Sequence, residues 1–238
     1  NRVIVLPIEC SNQDTALTIF STLNDRGLAL SDADIFKAKL YSHSAAEDRD
    51  KFITQWKELE ETSDESNINV QSLFNFFMFY LRAKENDKAT TTPGMRKFFQ
   101  AEHFKRLYEP SLMSELINLA GFWRVLTVLR ADSDYEFSSD ISILKSVQIL
   151  WTYTNDWWKY SVSTYYLVHH GETDFTQNFL NFLHQLIANF AVRLVLNPNL
   201  TSVKSYFMNL NVEIVKSAHP QFTPISQERS KKSGHCMA

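Results

Sequence analysis

Asn24 and Arg26 flank Asp25 just ahead of Gly27, and Asp34 and Lys37 follow within the same segment. Arginine grips phosphate through a planar two-pronged fork. Asparagine presents a donor and an acceptor together. An aspartate three residues before a lysine on one helix can pair with it across a turn. All of these lie in ALTIFSTLNDRGLALSDADIFKAKLY, residues 16–41. The same residues have a purely structural use. Asn24, Asp25 and Arg26 stand at a helix exit, and Gly27 supplies the left-handed stop. Ser31 with Asp34 three residues on makes an approximate capping box for a second helix. Caps alone account for every polar residue in this corner, and a ligand role for Arg26 stays open beside that reading.

A second group runs from Arg82 to Arg106. Arg82, Lys84, Lys88, Arg96, Lys97, Lys105 and Arg106 meet only Glu85, Asp87 and Glu102 as opposing charges. Phe98, Phe99 and Phe104 interleave with them. Basic side chains with rings between them can follow a nucleic-acid strand, cations along the phosphates and rings under the bases. Arg96, Lys97, Lys105 and Arg106 are the candidates for that contact. The alternative is a solvated basic face over an aromatic core.

His169, His170, Glu172 and Asp174 gather around Gly171, with His184 downstream. Metal ligands have to converge, and neighbours on a helix point about 100° apart. The histidines therefore read as favourable charges at a helix C-terminus, and no metal site is expected. Trp151, Trp157, Trp158, Tyr160, Tyr165 and Tyr166 read as core. No nucleophile arrangement stands out, so no catalytic residue is expected.

Helices have to position these groups. Leu17, Phe20 and Leu23 recur at helical spacing, and Ile35 and Ala38 do so beyond the glycine. The pattern predicts further helices at about 45–61, 69–83, 93–108, 111–131, 138–153, 156–170, 173–196 and 201–217. Residues 62–68 and 84–92 read as polar connections, and Asn197-Pro198-Asn199 as a loop. Residues 2–9, RVIVLPIE, read as a short strand with no partner in the chain. Such a strand should pair with a second copy or with a sheet formed elsewhere. The expected fold class is mostly α: a multi-helix array of about ten helices with a short N-terminal β-strand.

Composition narrows the classes further. Glycine occurs 5 times in 238 residues, well below its usual share of about 7%. Hairpins and phosphate-cradling loops consume glycine, which argues against a β-barrel, a Rossmann domain and a P-loop domain. Phenylalanine occurs 18 times, which suits helices packed with large side chains. The net charge of −3 argues against strong autonomous nucleic-acid binding and leaves room for a local patch. Cys10 and Cys236 lie near opposite ends, outside any metal-binding spacing, which reads as a reduced, cytoplasmic chain. No run reaches 18 apolar residues, so neither a membrane span nor a membrane partner is expected. The start, NRVIVLPIEC, is unlike a signal peptide and lacks an initiator methionine. The expectation is a piece of a longer protein.

The segment 16–41 also resembles the signature F-x-x-L-N-x-R-G-x-x-L-(S/T)-x-x-D-(L/I)-x-K. That signature belongs to the family known as domain of unknown function 262, the GmrSD-like type IV restriction and phage-defence proteins. The matching residues are Phe20, Leu23, Asn24, Arg26, Gly27, Leu30, Ser31, Asp34, Ile35 and Lys37. The resemblance implies an N-terminal ParB/sulfiredoxin-like domain with a DGQQR motif, implicated in nucleotide hydrolysis or nucleic-acid cleavage. The signature closes that domain, a helical region follows, and many members end in an HNH-type nuclease domain.

Neither DGQQR nor the H-I-x-P pattern is present here, so no catalytic residue is carried over. Asn24, Arg26, Gly27, Asp34 and Lys37 remain as motif residues for a ligand contact. The implied division is 1–43 as the edge of the ParB/sulfiredoxin-like domain, 44–217 as the helical domain and 218–238 as a tail or linker. The implied function is a non-catalytic helical region linking an N-terminal nucleotide-hydrolysing or nuclease domain to a C-terminal effector, and contacting DNA. A nucleotide triphosphate and a divalent metal would serve the full-length parent, a nucleotide-dependent DNA endonuclease. The implied partners are DNA, the parent's own N- and C-terminal domains and a second copy. The alternative is a self-standing helical protein–protein interaction module with no nucleic-acid role.

Overall fold

The computed structural model describes residues 9, 10, 15, 31–196 and 200–223. Within it, three helices begin where a short polar side chain takes up an orphan backbone N–H. Ser31 opens α1 (Asp32–His43): its hydroxyl accepts from the Asp34 amide at 3.2 Å, and the Asp34 carboxylate accepts from the Ser31 amide at 3.0 Å. The capping box read from the sequence is complete. α2 (Arg49–Ser66) ends on Asn67, which takes a left-handed conformation at φ 57°. Asn69 then caps α3 (Val70–Lys84) by accepting from the Ser72 amide at 2.8 Å. α4 (Met95–Phe104) and α5 (Leu112–Val128) follow, and α5 stops on left-handed Leu129. Asp140 caps α6 (Ile141–Trp151) by accepting from the Ser142 amide at 2.7 Å. α7 (Trp157–His169), α8 (Phe175–Leu196) and α9 (Leu200–Lys216) complete the order.

The chain is mostly α, with nine α-helices among the described residues. The expected strand at 2–9 and the expected helix ending at Gly27 lie outside the described residues. α3 sits at the centre. Leu73, Phe74, Phe76, Phe77, Met78, Phe79 and Tyr80 are all buried, Lys84 is its one exposed residue, and the helix touches α1, α2, α4, α5, α7 and α9. Phe36 of α1 packs on Phe74 and Phe99 at centroid distances of 5.0 and 5.1 Å. Trp123 of α5 meets Phe76 at 5.5 Å and Trp158 at 5.8 Å. Its indole N–H, dry at this depth, donates to the Ser163 hydroxyl at 2.9 Å. Burying one such ring stabilises by about 1.5–3 kcal/mol, and a well-placed aromatic pair adds about 0.5–1.5 kcal/mol.

Two boundaries differ from the sequence reading. α2 runs on through Ser66, where 62–68 had been expected to be a polar connection. Ser63 and Ser66 are buried yet satisfied locally, Ser63 donating to the Ile68 carbonyl and Ser66 to the Ser63 carbonyl. The helix expected over 93–108 breaks inside α4: Ala101 is extended, and Glu102 and His103 are left-handed at φ 52° and 54°. No glycine or proline marks that break. Phe36, within the segment 1–43, is part of the common core. Residues 218–223 also stay on the core: the Tyr165 hydroxyl donates to the Ala218 carbonyl at 3.0 Å, and Phe222 packs on Phe182.

α8 is the one helix among the described residues long and apolar enough to cross a membrane by length and composition, with a mean hydropathy of 1.4. Its Phe179, Phe182, Leu183, Leu186 and Phe190 are buried in the core, with α6 and α7 packed against it.

Gly121 explains a loop position. A Cβ there would lie 1.9 Å from the Tyr135 hydroxyl, so only glycine lets the phenol lie on α5. A mid-helix glycine costs about 1 kcal/mol against alanine, and the close approach offsets it. Gly121→Ala should therefore destabilise the native chain but stabilise the Tyr135→Ala background by about 1 kcal/mol, measured by urea unfolding. The same sign in both backgrounds would refute this packing.

Candidate functional site

The signature corner splits at residue 31. Phe20, Leu23, Asn24, Arg26, Gly27 and Leu30 lie outside the described residues. Asp34 and Lys37 do not pair with each other. Asp34 turns back to cap Ser31. Lys37 reaches across to α2, where its ammonium meets Glu60 at 2.8 Å and lies 5.3 Å from the Trp56 ring. The Trp56 indole N–H donates to the same Glu60 oxygen at 2.6 Å. Helical spacing suggested the i,i+3 partner, and α2 supplies a better-placed one. Asp34, Lys37, Tyr41, Phe52, Ile53 and Trp56 share a groove of about 490 Å³.

The basic segment is spent largely inside the protein. Arg82 is fully buried, donating to Asp87 at 2.7 Å and to the Ala89 carbonyl at 2.8 Å, with its guanidinium over Phe79. It pins the 85–94 connection to α3. Arg96 bridges to Asp32 of α1 at 2.8 Å. Arg106 pairs with Glu85 at 2.8 Å and lies over Phe98 at 4.5 Å. Lys105 stands 3.8 Å from Glu102. Lys97 is exposed on α4, and Phe98 and Phe99 are buried. The rings that would stack under bases belong to the core. Lys105 and Arg106 do come together, with Lys84, in a recess of about 440 Å³. Glu85, Glu102, Glu109 and Glu115 share that recess and balance its charge. Arg96 and Lys97 are not part of it.

The two neighbouring histidines separate as helix geometry requires. His169 is buried between the Glu172 carboxylate at 2.7 Å and the Ile214 carbonyl at 2.8 Å. The ring ties the end of α7 to α9. His170 is exposed, with Nδ1 donating to the Tyr166 carbonyl at 3.0 Å. No group of His, Cys, Asp and Glu among the described residues is arranged to hold a metal ion.

Sequence reasoning missed a further opening. A cleft of about 600 Å³ lies between α2, α5, the 134–137 segment and the end of α7. Glu58, Asp134 and Glu136 line it, with Arg124, Tyr135 and Tyr166. Arg124 is bound to Asp132 at 2.7 Å and to Glu65 at 3.3 Å, which holds its guanidinium above the ordinary arginine range against the cost of burial. Burial pushes the phenols of Tyr135 and Tyr166 up. These residues are spread from position 58 to position 166 and form no linear motif.

No protein family, curated protein or solved structure matches the chain.

The Arg82–Asp87 pair makes a pH prediction. Desolvation raises the Asp87 carboxyl, but hydrogen bonds from Arg82 and the Ala89 amide, with the charge of Arg82, outweigh it and hold the group below its ordinary value. A depressed carboxylate stabilises above its unfolded pKa and loses that contribution as pH falls through its folded one. Asp87→Asn should lower the urea midpoint at pH 7, and the gap to the native chain should close below about pH 4. A gap that stays constant down to pH 2 would show that the pair is not the cause.

Proposed function

We propose that this chain is a non-catalytic helical region of a modification-dependent restriction or phage-defence protein of the GmrSD-like kind. It joins an N-terminal nucleotide-hydrolysing or nuclease domain to a C-terminal effector. The observation that carries this reading is the use made of Ser31, Asp34 and Lys37. Each matches the signature, and each is spent on starting α1 or docking it to α2. Phe36 seats the same helix in the common core. A displacement of whatever precedes Ser31 is thereby passed to the helical body through a stiff, capped helix.

The internal pairing of Arg82, Arg96 and Arg106 supports assigning the main grip on DNA to other domains of such a protein. The groove holding half-exposed Ile53 and Tyr41 favours a second reading, a helical protein–protein interaction module.

The chain alone should neither hydrolyse nucleotides nor cleave DNA. At about 1 µM it should not shift modified or unmodified duplex DNA at low or moderate salt. A salt-sensitive shift lost on neutralising Arg96, Lys97, Lys105 and Arg106 would place DNA contact on this chain. Hydrolysis or cleavage abolished by one substitution would end the non-catalytic reading. Joined to the N-terminal domain of such a protein, Lys37→Met should slow nucleic-acid cleavage several-fold while costing no more than about 1 kcal/mol of stability. Unchanged cleavage would favour the interaction module.

A further inference from the structure

Four residues of α1 meet the 95–108 segment, and they recur at helical spacing. Asp32 holds Arg96 at 2.8 Å. Phe36 packs on Phe99 at 5.1 Å. The Lys39 ammonium lies 5.2 Å from the Phe104 ring. His43 stacks on Tyr108 at 3.8 Å, the ring planes 10° apart. Steps of four, three and four keep Asp32, Phe36, Lys39 and His43 on one face of α1. Their partners break that rule. An unbroken helix with Arg96 and Phe99 on one face would carry His103 and Leu107 there too. It would turn Phe104 about 80° and Tyr108 about 120° away from Arg96. The partners on the far side of the break are thus one residue out of register.

The extra residue is taken up inside α4. Ala101 is extended, and Glu102, His103 and Phe104 are left-handed at φ 52°, 54° and 64°. Residues with a Cβ enter that region at a cost, and as single residues rather than as a run. Nothing local asks for it. The stretch 95–108 contains neither glycine nor proline, and its Met95, Gln100, Ala101, Glu102, Lys105, Arg106 and Leu107 all favour helix. Strain of this kind persists only where the surroundings hold it. Here α1 spans the break, gripping the near arm through Asp32 and Phe36 and the far arm through Lys39 and His43. The far arm carries Arg106 onto Glu85 and Phe98. It also walls the recess whose other side includes Phe77 and Tyr80 of α3.

We propose that the 95–108 segment is a two-register switch held bent by α1. With α1 seated, Phe104 and Tyr108 face it and Arg106 stays on Glu85. When α1 shifts, the left-handed run relaxes and 95–108 becomes one helix. His103 and Leu107 then replace Phe104 and Tyr108 on the α1 side. Arg106 leaves Glu85, and the recess opens along Phe77 and Tyr80. The switch belongs to this chain's own packing and is independent of the proposed restriction role.

A thermodynamic cycle in urea tests it. Glu102→Gly with His103→Gly relieves two left-handed residues in the bent form and weakens a straight helix. In the native chain this pair should raise the folding equilibrium constant about threefold, the relief less the entropy that glycine costs. With Lys39→Ala and His43→Ala, which release the far arm, the same pair should lower it about fivefold, as two mid-helix glycines do. The released chain should also gain helical far-ultraviolet ellipticity. If the double alanine variant does not unfold cooperatively, His43→Ala alone makes the same comparison, because His43 is exposed. Glycines that destabilise the native chain would show that residues 102 and 103 store no strain. An equal gain in both backgrounds would show that α1 does not hold the bend. Either result overturns the proposal.

Discussion

A helix that is buried along nearly its whole length has to be surrounded, and α3 is such a helix. Its run of phenylalanines, with Leu73, Met78 and Tyr80, is buried, and its polar Gln71, Asn75 and Arg82 are bonded to neighbouring segments. Burying it demands neighbours on all sides, and α1, α2, α4, α5, α7 and α9 supply them. The remaining helices extend that arrangement, α8 carrying the aromatic packing outward through Phe179 and Phe182 to Tyr165. Some of the polar atoms that enter this interior come in pairs, while the Trp158 indole N–H has no partner among the described residues. Trp123 meets Ser163, and Ser161 meets Asn211. An unpaired polar group there would cost about 1–3 kcal/mol.

Charge is used as bracing. Across most of the helical body, cations are spent as ties between elements: Lys37 to α2, Arg96 to α1, Arg106 to the end of α3, and Arg82 to the connection that follows it. Exposed ties of this sort are worth little singly, but each fixes where an aromatic helix lies. In the cleft beside α5, Arg124 holds two carboxylates at once.

Much of the architecture could be read in advance, for local reasons. The Ser31–Asp34 box, the Asn69 and Asp140 caps and the apolar runs of α3, α5 and α8 are short-range signals. The tyrosine-rich stretch that forms α7 packs Tyr165 and Trp158 into a helical core, with no strand beside them among the described residues. Helix ends were less legible. A chain poor in glycine stops its helices on Asn67 and Leu129 in left-handed conformations. Leucine carries no sequence signal for that geometry, because tertiary packing supplies the energy to hold it.

Composition and periodicity alone determined the fold class, most helix positions and the assignment of the aromatic block to the core. Each follows from spacing along one element. Only the tertiary structure decided which charges cancel. Lys37 chooses Glu60 over Asp34, Arg96 chooses Asp32, and the basic segment that resembled a nucleic-acid track becomes internal bracing. It also brought Glu58, Asp134, Glu136 and Tyr166 around one opening. The physical reason is range: caps and amphipathic periods act within a few residues, whereas an electrostatic partner or a cleft wall is set by helices that meet only after the chain has folded.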